Sequence, residues 1–191
     1  MSSQAPHHEL ELILGGARSG KSRLAEQRAR ESSKKLLYLA TGTAGDAEMA
    51  ARIRHHQARR GAEWQLVEAP LHLADELRAH QGDDHCLLVD CLTLWLSNCL
   101  HRECWDAERE ALLATLPTLQ GRIILVSNEV GSGIVPLGQL SRRFADESGF
   151  LHQQIAQLCS RVSLVVAGLP LELKDPQAPC PHAAQQKDSA P

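Results

Sequence analysis

Short, nearly unbroken apolar runs at Leu10 to Leu14, Leu36 to Ala40, Cys86 to Val89, Ile123 to Val126 and Val162 to Ala167 restrict most narrowly how this chain can fold. A strand with one wet face alternates apolar and polar residues, whereas a strand covered on both faces does not. Between the runs lie stretches of helical periodicity: Lys21 to Ser32, Ala47 to Arg60, Leu71 to His80, Leu92 to Arg102, Ala107 to Leu119 and Leu137 to Cys159. Strand and helix therefore alternate, which predicts an α/β fold with a mostly parallel sheet flanked by helices on both faces. With 191 residues, 43% of them hydrophobic, the chain suffices for one well-buried domain and is short for two. No internal repeat on the scale of about 20 to 50 residues is visible.

The ends read differently from the middle. MSSQAPHHELE has neither the basic start nor the apolar stretch of a secretory signal, and no run approaches the ~18 apolar residues that cross a bilayer, so a cytoplasmic location is expected. The segment DPQAPCPHAAQQKDSAP, from Asp175 onward, is Pro-rich and nearly free of large apolar side chains, so burial cannot offset its ordering entropy. The expected organisation is a flexible segment 1–9, one domain over 10–174 and a disordered tail over 175–191. Deleting Asp175 to Pro191 is expected to leave activity unchanged and the melting temperature within about 5 °C of the full chain, as scanning calorimetry can check. A larger fall would mean that the tail docks on the domain.

Lys and Arg number 20 against 23 Asp and Glu, a formal charge of -3, which excludes the strongly basic balance of a dedicated nucleic-acid binder. Aromatic residues are 3% of the chain, too few for a platform that stacks single-stranded bases. Small-molecule partners fit better. The six cysteines, Cys86, Cys91, Cys99, Cys104, Cys159 and Cys180, form no CxxC pair and read as reduced, mostly buried thiols. A metal site drawn from His85, Cys86, Cys91, Cys99, His101 and Cys104 would match no structural zinc spacing.

The first apolar run leads straight into GGARSGKS, Gly15 to Ser22, which matches G-x-x-x-x-G-K-[ST] and opens the first helical stretch. Such a loop turns successive backbone N–H groups toward an anion at a helix N-terminus, where the helix dipole also favours negative charge. Gly15 and Gly20 permit the turn, with Gly16, Ala17, Arg18 and Ser19 between them. Lys21 reaches the terminal phosphates of a nucleotide and the Ser22 hydroxyl binds Mg²⁺. A phosphate-transfer enzyme of this kind also needs an acidic group near the metal, and Asp90, at the end of CLLVD, is the candidate. The competing account of Asp90 is a cap on the helix that begins near Leu92. No NKxD base-reading motif of GTPase switches is present.

GDAEMAARIRHHQARRG, Gly45 to Gly61, reads as a helix with acidic residues early, Arg late and Gly at its end. At about 100° per residue, Met49, Ile53 and His56 share one stripe, whereas His55 groups with Glu48, Arg52 and Arg59. His56 is thus directed inward, either as a packed histidine or as one that meets a phosphate as nucleophile or acid-base group.

GGARSGKS, LLYLATG, DAEMAARIRHHQARRGAEW, LLVDCLTLWLSN and VSNEVGSGIVP, taken in this order, closely resemble the bifunctional adenosylcobinamide kinase / adenosylcobinamide-phosphate guanylyltransferase family of cobalamin synthesis. The resemblance spans about Leu10 to Lys174. It implies a single P-loop NTPase domain of RecA-like fold, assembled as a homotrimer. The implied activities are phosphorylation of the aminopropanol hydroxyl of adenosylcobinamide with ATP or GTP, then transfer of GMP from GTP to that phosphate through a guanylylated histidine. By the same resemblance His56 is the nucleophile, and Thr41, Gly42, Thr43, Gln57, Ala58, Arg59, Arg60, Glu68 and Asp90 match nucleotide contacts. Some relatives carry Glu where this chain has Asp90, a change that keeps the acidic function. QARR follows the histidine pair where others have a Lys-Asp-Gly-Arg type of sequence. Asn128 and Glu129 open a Gly-rich loop that reads either as a buried polar hinge or as a substrate-facing or interfacial segment. Two other readings of the residues stand beside this one: a P-loop small-molecule kinase with a structural histidine pair, and a nucleotide-responsive regulatory protein.

Overall fold

A computed structural model describes residues 8–32, 34–42 and 61–175. Its strands are β1 (His8–Gly15), β2 (Lys35–Ala40), β3 (Trp64–Glu68), β4 (His85–Asp90), β5 (Gly121–Asn128), β6 (Arg161–Val166) and β7 (Leu169–Lys174). Its helices are α1 (Lys21–Glu31), α2 (Leu73–His80), α3 (Leu92–His101), α4 (Trp105–Thr115) and α5 (Gln139–Leu158). The strands form one seven-stranded sheet in the order β3-β2-β4-β5-β1-β6-β7, parallel throughout except for the antiparallel β6–β7 pair.

The apolar runs are unbroken because the sheet is covered on both faces. Leu37, Leu39, Leu87, Val89, Ile123 and Leu125 point to one side, where they pack with Leu73, Leu77, Trp95, Leu112 and Leu151 of α2 to α5. Their neighbours Leu36, Tyr38, Cys86, Leu88, Ile124 and Val126 point to the other, against Ala25 and Ala29 of α1. Small residues on α1 let that helix lie close to the sheet. Trp95 and Trp105 meet edge to face, 5.4 Å between centroids, and join α3 to α4.

The exception within the first run is Glu11, almost fully buried on β1. It is paired with Arg28 of α1 and, at 3.2 Å, with Arg122 of β5. Arg28 reaches on to Glu172 of β7 at 2.5 Å and to the Ser163 hydroxyl at 2.8 Å. A buried carboxylate is tolerated only when its charge is met in this way.

Several boundaries differ from the periodicity. The stretch expected over Leu71 to His80 starts as helix only at Leu73, because His72 takes φ 50°. The stretch expected to reach Leu119 ends as α-helix at Thr115 and continues as a short 3-10 turn, since Pro117 has no N–H to give the ladder. Two strands were not legible. β3 is a largely exposed edge strand of mixed polarity, and β7, with Pro170 in it, is exposed at every residue. β1 begins at His8, two residues ahead of the expected domain start. The helical stretch over Ala47 to Arg60, and the segment beyond Asp175, lie outside the described residues.

Candidate nucleotide-binding site

Parallel strands bring their C-terminal ends to one edge of the sheet, and the register shows which residues arrive together. Glu68 and Asp90 are both level with Ala40, Asp90 is level with Val126, and Gly15 is level with Asn128 and Val165. The candidate residues from β1, β2, β3 and β4 therefore share this edge, where ligands of open α/β sheets bind.

Gly15 to Ser22 form the expected strand-to-helix loop. A Cβ on Gly15 would lie 2.6 Å from the Val165 carbonyl, and Gly20 has φ 100°, so both positions exclude an ordinary side chain. The Ser19 N–H bonds the Gly16 carbonyl at 3.2 Å and the Leu24 N–H bonds Gly20 at 3.1 Å. Among the described residues no backbone carbonyl takes the N–H of Gly16, Ala17, Arg18, Gly20, Lys21 or Ser22. Unpaired donors at a helix N-terminus are what an anion requires. Gly16, Ala17 and Arg18 are exposed, Ser22 is half-buried, and Lys21 is buried, with its Nζ folded back on the Gly16 carbonyl at 3.1 Å. That bond holds the ammonium inside the loop.

Asp90 accepts a hydrogen bond from the Tyr38 hydroxyl at 2.8 Å on Oδ2. It does not cap α3, whose N-cap is Cys91 without a side-chain bond. This removes the capping account. Thr41 is buried, and its hydroxyl both donates to the Cys91 carbonyl at 2.7 Å and accepts from the Cys91 N–H at 2.8 Å. The Asn98 amide donates to the Thr41 carbonyl at 2.8 Å and to that of Pro70 at 3.0 Å. Thr41 thus ties β2 to β4, and its hydroxyl is committed there. Gly42 is half-buried and Glu68 is exposed. Thr43, His56, Gln57, Ala58, Arg59 and Arg60 lie outside the described residues.

At the far side of Asp90 the Asn128 amide donates to the Thr93 hydroxyl at 2.9 Å, which ties the end of β5 to the start of α3. The next residue, Glu129, donates its N–H to the Gly15 carbonyl at 3.0 Å, and its carboxylate accepts from the N–H of Gly131 and Ser132. Burial works to raise this carboxyl, and the Ser132 hydroxyl with the two N–H groups outweighs it, so its pKa lies below the usual range. Beyond it, Ile134, Val135 and Leu137 are largely exposed. The loop is accordingly held by polar contacts at its start and presents an apolar surface further on.

The sequence carries no sign of the support beneath the end of β5. Ser127 is fully buried and 2.7 Å from Nε2 of His152 on α5. Burial pushes the His152 pKa down from 6.5 to about 4, against the opposing pull of Glu129. In the unfolded chain His152 binds its proton near pH 6.5 and in the fold only near pH 4, so this group weakens the fold as pH falls through that interval. Urea titrations are expected to show about 2 kcal/mol more loss of stability between pH 7 and pH 5 for the unaltered protein than for His152→Gln. Equal losses would contradict the assignment.

Of the six thiols, Cys180 lies outside the described residues and Cys104 is half-buried. Cys86, Cys91, Cys99 and Cys159 are buried and free. Burial pushes Cys86 and Cys91 up to about 11 and Cys159 up to about 12. Among the described residues no cluster of His, Cys, Asp and Glu could hold a metal by itself. The oxygens of Ser22 and Asp90 are hard donors, too few to cage a cation, and fit a magnesium that arrives on nucleotide phosphates.

A parallel sheet with this loop after its first strand defines a P-loop nucleotide-binding protein. Solved structures of the RadB recombinase (16% identity, 83% of this chain, 74% of that chain, TM-score 0.50) and of an ATPase domain (13%, 92%, 80%, 0.51) share the RecA-like fold. The chain belongs to the cobinamide kinase / cobinamide phosphate guanyltransferase family, whose model matches residues 11–173. It is 60% identical over 167 residues to the bifunctional adenosylcobalamin biosynthesis protein CobP of Pseudomonas aeruginosa, covering 86% of this chain and 96% of that protein. It is 38% identical to CobU of Escherichia coli over 179 residues, covering 85% and 98%. No helix among the described residues is long and apolar enough to cross a membrane.

Proposed function

We propose that this chain carries both reactions of its family on one P-loop site: phosphorylation of adenosylcobinamide by ATP or GTP, then guanylylation of adenosylcobinamide phosphate by GTP. The observation that carries the reading is the loop around Lys21, whose N–H groups meet no backbone carbonyl among the described residues, at the same sheet edge as the acidic strand end at Asp90. In the first reaction the substrate hydroxyl oxygen attacks the γ-phosphorus, the bond to the β–γ bridging oxygen breaks, and the hydroxyl proton passes to solvent. No strong base is needed if the transition state is loose. The loop N–H groups and Lys21 neutralise the nonbridging and leaving oxygens. Magnesium, when bound through Ser22 and Asp90, would add charge neutralisation on the same phosphates.

In the second reaction a ring nitrogen of neutral His56 attacks the α-phosphorus of GTP and pyrophosphate leaves. A phosphate oxygen of the corrinoid then displaces the histidine from that phosphorus, giving adenosylcobinamide-GDP and free His56. Thr41, Gly42, Thr43, Gln57, Ala58, Arg59, Arg60 and Glu68 would contact nucleotide, with Thr41 limited to its backbone because its hydroxyl is taken by Cys91. A homotrimeric, cytoplasmic protein is part of the same proposal, and sedimentation equilibrium tests the trimer. The reaction itself is tested by incubating the purified chain with adenosylcobinamide, Mg²⁺ and GTP. Conversion through the phosphate to the GDP ester is the expected result, and nucleotide turnover indifferent to the corrinoid would contradict it.

A further inference from the structure

We propose that the turn between β6 and β7 positions the phosphate loop, with the Gly168 N–H setting the orientation of the peptide between Ser19 and Gly20. This rests on the reading of Gly15 to Ser22 as a phosphate cradle. The Gly168 N–H donates to the Ser19 carbonyl at 2.8 Å. Carbonyl and N–H of a trans peptide point in opposite directions, so pinning the Ser19 carbonyl to the turn aims the Gly20 N–H away from it. Among the described residues no backbone carbonyl takes that N–H. With the carbonyl released, the peptide could rotate and present an oxygen where a phosphate needs a donor.

Further observations tie the turn to the loop. A Cβ on Gly20 would lie 3.2 Å from the Gly168 Cα, so the two backbones are in close approach. Ala167 and Gly168 have φ 52° and 82°, a two-residue turn with positive φ at both positions, as in a type I′ hairpin. Alanine is disfavoured in that region, yet the turn keeps it. β7 is the exposed edge strand, and Arg28 of α1 holds it through Glu172. The hairpin therefore grips both the loop before α1 and the body of α1. Gly168 is a positioning residue in this account and touches no substrate.

The test exchanges one backbone N–H for an ester oxygen. Full-length protein carrying glycolic acid in place of Gly168 has an ester there and lacks the N–H. Its affinity for GTP is expected to fall at least about tenfold, with GMP affinity within about twofold, because the cradle serves the outer phosphates. Gly168→Asn keeps the N–H, tolerates positive φ, and has room, since a Cβ there meets only the Arg23 guanidinium at 3.9 Å. It is expected to bind GTP within about threefold of the unaltered protein. Unchanged GTP affinity in the ester, equal loss of GTP and GMP, or Gly168→Asn as weak as the ester would each overturn the inference. Lys21→Ala, measured alongside, separates the two levels. If it weakens GTP binding and the ester does not, only the role of Gly168 fails; if it too leaves GTP binding intact, the cradle reading fails and the inference with it.

Discussion

Purified Lys21→Ala protein is expected to phosphorylate adenosylcobinamide at least about a hundredfold more slowly than the unaltered chain while remaining folded. The loss arises where charge develops, because the ammonium is held within the loop by the Gly16 carbonyl and has no other described hydrogen bond. Although the side chain is buried, its removal leaves no stranded buried acceptor, since Gly16 is exposed and water can take its carbonyl. Steady-state turnover with Mg²⁺ and nucleotide, read against circular dichroism and melting temperature, separates this from misfolding. Turnover equal to that of the unaltered protein would contradict the cradle.

The α/β class, the positions of the interior strands along the chain and the phosphate loop were legible because each rests on local pattern. Both-faced burial makes β2, β4, β5 and β6 read as runs, and GGARSGKS marks its own turn. The edges were not legible. β3 and β7 are held by pairing with one neighbour and by side-chain links such as Arg28 to Glu172, which leave no apolar period in the sequence. The candidate site divides in the same way. Lys21 and Asp90 could be named from motif and strand end, whereas Thr41 committed to Cys91, Asn98 bridging two carbonyls and His152 under Ser127 depend on contacts between distant elements. The one local hint was a polar residue, Asn98, within the apolar helix LTLWLSNCLH.

The second large effect is expected at the histidine pair. His56→Ala should abolish GMP transfer, a loss of at least about ten-thousandfold, and leave adenosylcobinamide phosphorylation measurable, since the first reaction needs only the cradle, metal and acceptor. His55, which the helical periodicity of the sequence groups with Arg52 and Arg59, serves as the control, and His55→Ala should retain most of the transfer activity. A packed His56 would behave otherwise: its loss would lower stability and depress both reactions together.

The central claim, that one P-loop chain forms a covalent guanylyl-histidine, is tested most directly by protein-bound label after incubation with GTP labelled at the α- or the γ-phosphate. Label is expected to persist only from the α position, to be acid-labile and alkali-stable as a phosphoramidate is, to survive His55→Ala and to vanish in His56→Ala. Retention of α-label by His56→Ala together with its loss in His55→Ala would move the nucleophile to the neighbouring histidine, and absence of α-label from the unaltered protein would contradict the covalent mechanism.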